Sequence, residues 1–342
     1  MAVDLQGAWY QKADDRPWWL YLLSPLALMF WLISNVRKSI YRSGLLRAYS
    51  SSLPVIVVGN ISIGGNGKTP VVLSLVDHFT KQGIKCAVLS RGYGGNRTSY
   101  PYALTTQDNP IQVGDEPALI RRRFDIPVVI DPKRARGAQF IEGNTDAQVI
   151  ICDDGMQHYA LSRDIEICVM DSRGIGNGYL LPMGPLREGI ARLKSIDLLV
   201  YNGSNVKEHR YLNGHSPVIM SLEQTRWINV QSGESLSLQQ GLKQFSNATS
   251  IAALAAIGDP KRFFSSVKNT GLVLSQEIGL PDHHQILQND IPDAEIVLMT
   301  EKDAVKCQDF ATHNCWYLEV EAQFSEGFYS FIDKRLAQIN KE

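Results

Sequence analysis

Gly64-Gly65-Asn66-Gly67-Lys68-Thr69 is a run whose residue types suit phosphate chemistry. Glycines let backbone N–H groups converge on phosphate oxygens, and a helix starting directly afterwards adds partial positive charge at its N-terminus. Lys68 is then placed to reach β- and γ-phosphates, and the Thr69 hydroxyl to hold Mg²⁺. The candidate nucleotide-binding residues are Ser62, Ile63, Gly64, Gly65, Asn66, Gly67, Lys68 and Thr69. Ser62 occupies a position where this pattern normally has glycine, and Gly64 and Gly65 are expected to supply the missing flexibility. A glycine-rich turn with a chance Gly-Lys-Thr is the plainer alternative. The flanking residues favour the phosphate loop, with β-branched Val55-Ile56-Val57-Val58 before it and a helix-compatible run over 71–80 after it.

Four further groups could carry chemistry. Asp153 and Asp154 end the apolar run Val149-Ile150-Ile151-Cys152, where adjacent carboxylates repel and a cation relieves the cost. Together with Thr69 they are the candidate metal residues, an ordinary polar strand-end turn being the alternative. Arg187 and Glu188 leave a proline-pinned loop, Leu181 to Gly189, and an arginine near a phosphate loop can stabilise charge on a transferred phosphoryl group. A surface Arg–Glu pair explains them equally well. Asp115 in Gly-Asp-Glu-Pro and His283 in Pro-Asp-His-His read, by spacing alone, as surface structure more readily than as an acid–base pair. Thr300-Glu301-Lys302-Asp303 misses the guanine-reading pattern, since Glu301 stands where lysine is required.

The elements that would position these groups are apolar runs alternating with helix-length stretches from Val55 onward. Strands are expected over 55–58, 87–89, 127–130, 149–152, 165–170 and 198–201, continuous in hydrophobicity as in a sheet covered on both faces. The fold class is α/β, the larger part a doubly wound sheet of the P-loop NTPase kind. Turn signals at Gly203-Ser204-Asn205, Asn213-Gly214 and Gln231-Ser232-Gly233 mark a boundary, with a hairpin expected between 218–222 and 225–230. A smaller α/β unit follows, with strands over 251–257, 295–299 and 315–320. The expected division is 1–50 as a hydrophobic and basic helical segment, 51–215 as the phosphate-loop domain, 216–248 as a short β-hairpin linker and 249–342 as the C-terminal domain.

The 342 residues are 44% hydrophobic and 20% charged, enough for a packed core, and a net charge of −1 argues against a general nucleic-acid binder. Five cysteines without CxxC spacing read as reduced, buried thiols. From Trp18 to Ile33 only Ser24 and Pro25 interrupt an apolar stretch, with aromatics at its start and Arg37, Lys38, Arg42 and Arg47 after it. That pattern is expected at a membrane surface with the basic flank on the cytoplasmic side; burial against the domain is the alternative. No protein partner is inferred.

The motifs Gly64 to Pro70, Ser90-Arg91-Gly92-Tyr93-Gly94, Gly114 to Pro117, Asp153 to His158, Pro182 to Glu188, Asp282-His283 and Thr300 to Asp303 follow in this order. The set resembles the tetraacyldisaccharide 4′-kinase family, the lipid A 4′-kinases of Gram-negative bacteria, over nearly the whole chain. The resemblance implies transfer of phosphate from ATP, with Mg²⁺, to the 4′-hydroxyl of an acylated glucosamine disaccharide 1-phosphate, giving lipid IVA. It implies work at the cytoplasmic face of the bacterial inner membrane, by two α/β/α domains joined by a two-stranded linker with the site in the cleft between them. It also implies catalytic roles for Asp115 and His283 beside Lys68, Arg187 and Glu188, with Asp115, helped by His283, expected to accept the proton of the attacking hydroxyl and the two expected on different domains. Met156 and Gly189 depart from the family pattern. A membrane-docked NTPase switch and a non-catalytic nucleotide-binding module are the competing classes.

Overall fold

The computed structural model describes residues 4–203, 212 and 216–339. The turn signals at Ser204-Asn205 and Asn213-Gly214, and with them the expected boundary at 215, lie outside the described residues. Contacts divide the chain into two compact units, one formed by 1–89, 133–221 and 324–342, the other by 90–132 and 222–323.

The first unit is built on parallel strands in the order Leu198–Asn202, Ile165–Asp171, Val55–Gly59, Val149–Asp153, Cys86–Ser90. Nearly every residue in them is buried, which is why the sequence shows continuous apolar runs rather than alternation. Val55–Gly59 lies in the middle, and its register sets Val58 beside Asp153 and Gly59 beside Cys168. Strand C-termini carrying Gly59, Asp153 and Asp171 therefore open on one end of the sheet, where α/β folds bind ligands. The helix Lys68–Lys81 buries Val71, Val72, Leu75, Val76 and Phe79. The helix Phe328–Ile339 closes against it, with His78 Nε2 2.8 Å from Asp333 Oδ1 and the His78 and Tyr329 rings stacked 4.3 Å apart.

The second unit has parallel strands Gln276–Gly279, Ile251–Ala255, Ile296–Thr300 and Cys315–Phe324, over a core that includes Trp227, Phe245, Phe263 and Trp316. Helix Asp115–Arg123 belongs here because helix Glu301–Cys307 holds it: Arg123 pairs with Glu301 at 3.0 Å, and Arg122 donates to the Val305 carbonyl at 2.6 Å.

This division corrects the chain-order expectation. Residues 90–132 leave the phosphate-loop domain for the second unit, and 324–339 return to the first. The expected hairpin turn at Glu223-Gln224 is also displaced, because neither residue favours a tight reverse turn. Val218–Asn229 is one strand, and its antiparallel partner is Ser235–Ser237, after a turn that includes Gly233 at φ +73°.

At the N-terminus, Trp18–Leu23 is a 3₁₀ helix that continues into the α-helix Ser24–Arg42, together 25 residues and long and apolar enough to cross a membrane. Leu22, Leu28, Met29, Leu32 and Ile33 are exposed, whereas Leu20 and Ala27 join Trp9 and Met183 in a buried cluster.

Candidate active site

On the first unit the loop between Val55–Gly59 and Lys68–Lys81 turns through Gly64 (φ +104°) and Gly67 (φ +93°). Gly67 is also crowded, since an added Cβ would sit 2.6 Å from Asn202 Nδ2. Ser62 needs no left-handed backbone. It forms an antiparallel bridge with Leu186, and its hydroxyl accepts from Asn66 Nδ2 at 2.9 Å, so serine serves where glycine is usual. Ile63 N–H donates to the Pro185 carbonyl and Arg187 N–H to the Ile61 carbonyl, which tie the loop to the 181–189 segment.

Lys68 Nζ stands 3.6 Å from Asp154 Oδ1, and Arg187 Nη1 donates to both Asp154 oxygens at 3.0 and 2.9 Å. Asp154 holds a left-handed backbone (φ +48°), a conformation that aspartate tolerates and that recurs at functional sites. Burial alone would raise its pKa, but Lys68 and Arg187 outweigh it and hold the carboxyl at about 2. Asp153 is buried beside it, and the buried Arg134 donates to the Asp153 carbonyl at 2.9 Å. Met156 fills the space above Gly59, where a Cβ would come within 2.5 Å of its Cγ. Its departure from the family pattern is thus absorbed by packing.

Glu188 parts company with Arg187. Its carboxylate is held by the Tyr159 hydroxyl and by Arg192 Nε at 2.9 Å, and Arg192 in turn contacts Glu166. The structure therefore places Glu188 in a buried ionic network and not beside Lys68 or Asp154.

On the second unit, His283 Nδ1 lies 3.1 Å from Asp115 Oδ2. Both residues belong to this one compact unit, correcting the expectation that they sit on different domains. Asp115 opens its helix after Gly114, whose φ of +92° and 2.6 Å approach of an added Cβ to the Tyr93 carbonyl demand glycine. The Tyr93 ring meets the His283 imidazole edge-on at 5.2 Å, so the Ser90–Gly94 motif walls the pair. Lys306 and Lys302 stand 3.4 and 3.9 Å from Asp115 Oδ2, and Lys302 also reaches Glu116 at 3.4 Å. Burial favours the neutral acid, but His283, Lys302 and Lys306 outweigh it and hold the Asp115 carboxyl well below the usual range. Sequence reasoning missed both lysines; their i,i+4 spacing on a short helix was the available signal. Thr300 and Asp303 prove structural, as the cap and third residue of that helix.

The chain has one unit that can hold phosphates and one that can orient an imidazole. Residues 19–337 match the family model described as Tetraacyldisaccharide-1-P 4'-kinase. The Tetraacyldisaccharide 4'-kinase of Pseudoalteromonas atlantica is 46% identical over 316 residues, covering 92% of this chain and 99% of that protein. That of Psychromonas ingrahamii is 43% identical over 335 residues, covering 97% and 98%. The crystal structure of LpxK from Aquifex aeolicus in complex with ATP matches with a TM-score of 0.78 at 27% identity, over 94% of this chain and 99% of that one. Similarity of this degree over nearly the whole chain, joined to a phosphate loop turned by Gly64 and Gly67 and an Asp115–His283 pair, means that the chain belongs to the tetraacyldisaccharide-1-P 4'-kinase family.

Proposed function

We propose that this chain transfers the γ-phosphoryl group of ATP to the 4′-hydroxyl of tetraacyldisaccharide 1-phosphate, forming lipid IVA. The observation that carries the reading is the Asp115–His283 pair, which a switch that only hydrolyses nucleotide does not need for an alcohol acceptor. Lys68 and Arg187 supply positive charge to the transferred group, and the backbone of Ser62 to Gly67 cradles the phosphates. Thr69, Asp153 and Asp154 would hold Mg²⁺. Asp153, buried at the tip of strand Val149–Asp153, and Asp154 next to it are hard oxygen donors of the kind that fit Mg²⁺. Bound there, Mg²⁺ would neutralise charge on the β- and γ-phosphates.

A carboxylate held as acidic as Asp115 is a weak proton acceptor. His283 therefore takes the proton from the attacking hydroxyl, and Asp115 fixes its tautomer and stabilises the imidazolium. Glu188 contributes by holding Tyr159 and Arg192, which fixes the backbone next to Arg187. The exposed apolar face of Ser24–Arg42 supports docking at the cytoplasmic face of the inner membrane, where a substrate with four acyl chains resides.

The test supplies γ-labelled ATP and Mg²⁺ with tetraacyldisaccharide 1-phosphate in mixed micelles. Label in a lipid product supports the kinase; inorganic phosphate released equally fast without lipid overturns it in favour of the switch.

A further inference from the structure

We propose that Arg173 is a positioning residue of the nucleotide site, clamping the outer side of the phosphate loop, and that Tyr10 of the N-terminal segment holds it in place. Arg173 follows the tip of strand Ile165–Asp171, which the register carries past Gly59. Its Nη2 donates to the Gly65 carbonyl at 3.2 Å and to Asn66 Oδ1 at 3.0 Å. The same guanidinium is anchored on buried Asp171, whose Oδ2 accepts from Nε at 3.0 Å and from Nη2 at 2.7 Å. Gly64 lies directly against it, since an added Cβ would come within 3.1 Å of Nη1.

The consequence for phosphate binding is geometric. Across a trans peptide the N–H points opposite to the C=O. By turning the Gly65 carbonyl toward its guanidinium, Arg173 turns the Asn66 N–H the other way, fixing one donor of the cradle before nucleotide arrives.

Tyr10 supports this from below. The Arg173 Cζ lies 5.6 Å from the Tyr10 ring centroid, within cation–π range. Tyr10 is itself held by its neighbour Trp9, which is buried and donates its indole N–H to the Pro182 carbonyl at 3.1 Å. Trp9 shares a cluster with Leu20, Ala27 and Met183, against which Ile63 of the phosphate loop also packs. The segment leading into the apolar helix is therefore part of the wall of the nucleotide site, and by linkage whatever seats that segment also tunes ATP affinity.

The inference rests on the nucleotide-binding part of the proposed function. The full chain in detergent is titrated with ATP by calorimetry without lipid, then assayed for kcat and the KM for ATP with lipid acceptor. R173A is expected to weaken ATP binding about tenfold or more, raising KM far more than it lowers kcat. R173K recovers part of the loss, because an ammonium lacks the planar fork that anchors Nε and Nη2 together on Asp171 while Nη2 faces the loop. Y10A weakens binding less, roughly two- to fivefold, and Y10A/R173A binds no more weakly than R173A alone. Wild-type ATP affinity in R173A, or in R173K and R173Q should R173A not fold, overturns the clamp. Fully additive losses in the double variant overturn the part given to Tyr10. A wild-type chain that binds no ATP overturns the nucleotide reading itself, a result distinct from both.

Discussion

His283 Nδ1 and Asp115 Oδ2 are 3.1 Å apart, although 168 positions separate the two residues in the chain. Their contact is built by the glycines around Tyr93 and by a helix contributed from residues 301–307. Both D115N and H283A are expected to lower kcat by about 10²- to 10⁴-fold while leaving ATP affinity unchanged. Added imidazole should restore part of the activity of H283A and none of D115N. Rescue of both alike would remove the distinction between acceptor and orienter.

Lys68 stands at the start of its helix with Asp154 3.6 Å away. K68M keeps roughly the length of the side chain and removes the positive charge that faces the transferred group in the proposed reaction. Turnover should fall by about 10²-fold or more, because phosphoryl transfer depends on electrostatic stabilisation. Near-normal lipid phosphorylation by K68M would show that the loop serves some other end.

Gly67 is left-handed and pressed against Asn202 and Met220. G67A should reduce ATP affinity and lower the thermal midpoint together, since the added Cβ strains a left-handed backbone and must displace the buried Asn202 amide. A thermal melt beside the ATP titration checks it.

Asp154 sits at about 2 in the folded chain, against roughly 4 in an unfolded one. A depressed carboxylate binds its proton less readily when folded. The stability it contributes is thus full above about pH 4 and lost as pH falls through about 2. Urea midpoints measured across this window should fall more steeply for the wild type than for D154N. Parallel curves would mean that other carboxylates govern acid unfolding.

Leu28 and Ile33 are exposed on the apolar helix, at 65% and 59%. L28E and I33E should each reduce recovery with anionic vesicles, a buried charge costing about 2.5–3.5 kcal/mol if the helix crosses. ATP binding in detergent should be unchanged, because neither side chain joins the cluster around Trp9.

Much of this was legible in the sequence. The β-branched runs around Val55, Val149 and Ile165 announce buried parallel strands, and the glycine–lysine–threonine run announces its own turn. The partition of the chain was not legible, because an apolar run declares that a strand is buried without saying which helix covers it. Chain order alone puts Asp115 in the phosphate-loop domain, whereas Arg122 and Arg123 tie its helix to Val305 and Glu301. Arg187 and Glu188 looked like one functional pair, yet consecutive residues of an irregular loop face different ways. Arg173 carried no spacing signal at all, since its partners are a backbone carbonyl and a side chain more than a hundred positions away.

The return of helix Phe328–Ile339 to the first unit has a bearing on biogenesis. The phosphate-loop helix emerges early from the ribosome, but His78 and Ser74 meet Asp333 and Tyr329 only when the last stretch has been translated. A nascent chain therefore carries its apolar N-terminal helix long before the unit that holds its phosphate loop can close. Under the proposed function, a chain released short of residue 328 would carry the docking helix but lack the residues that cover the phosphate-loop helix.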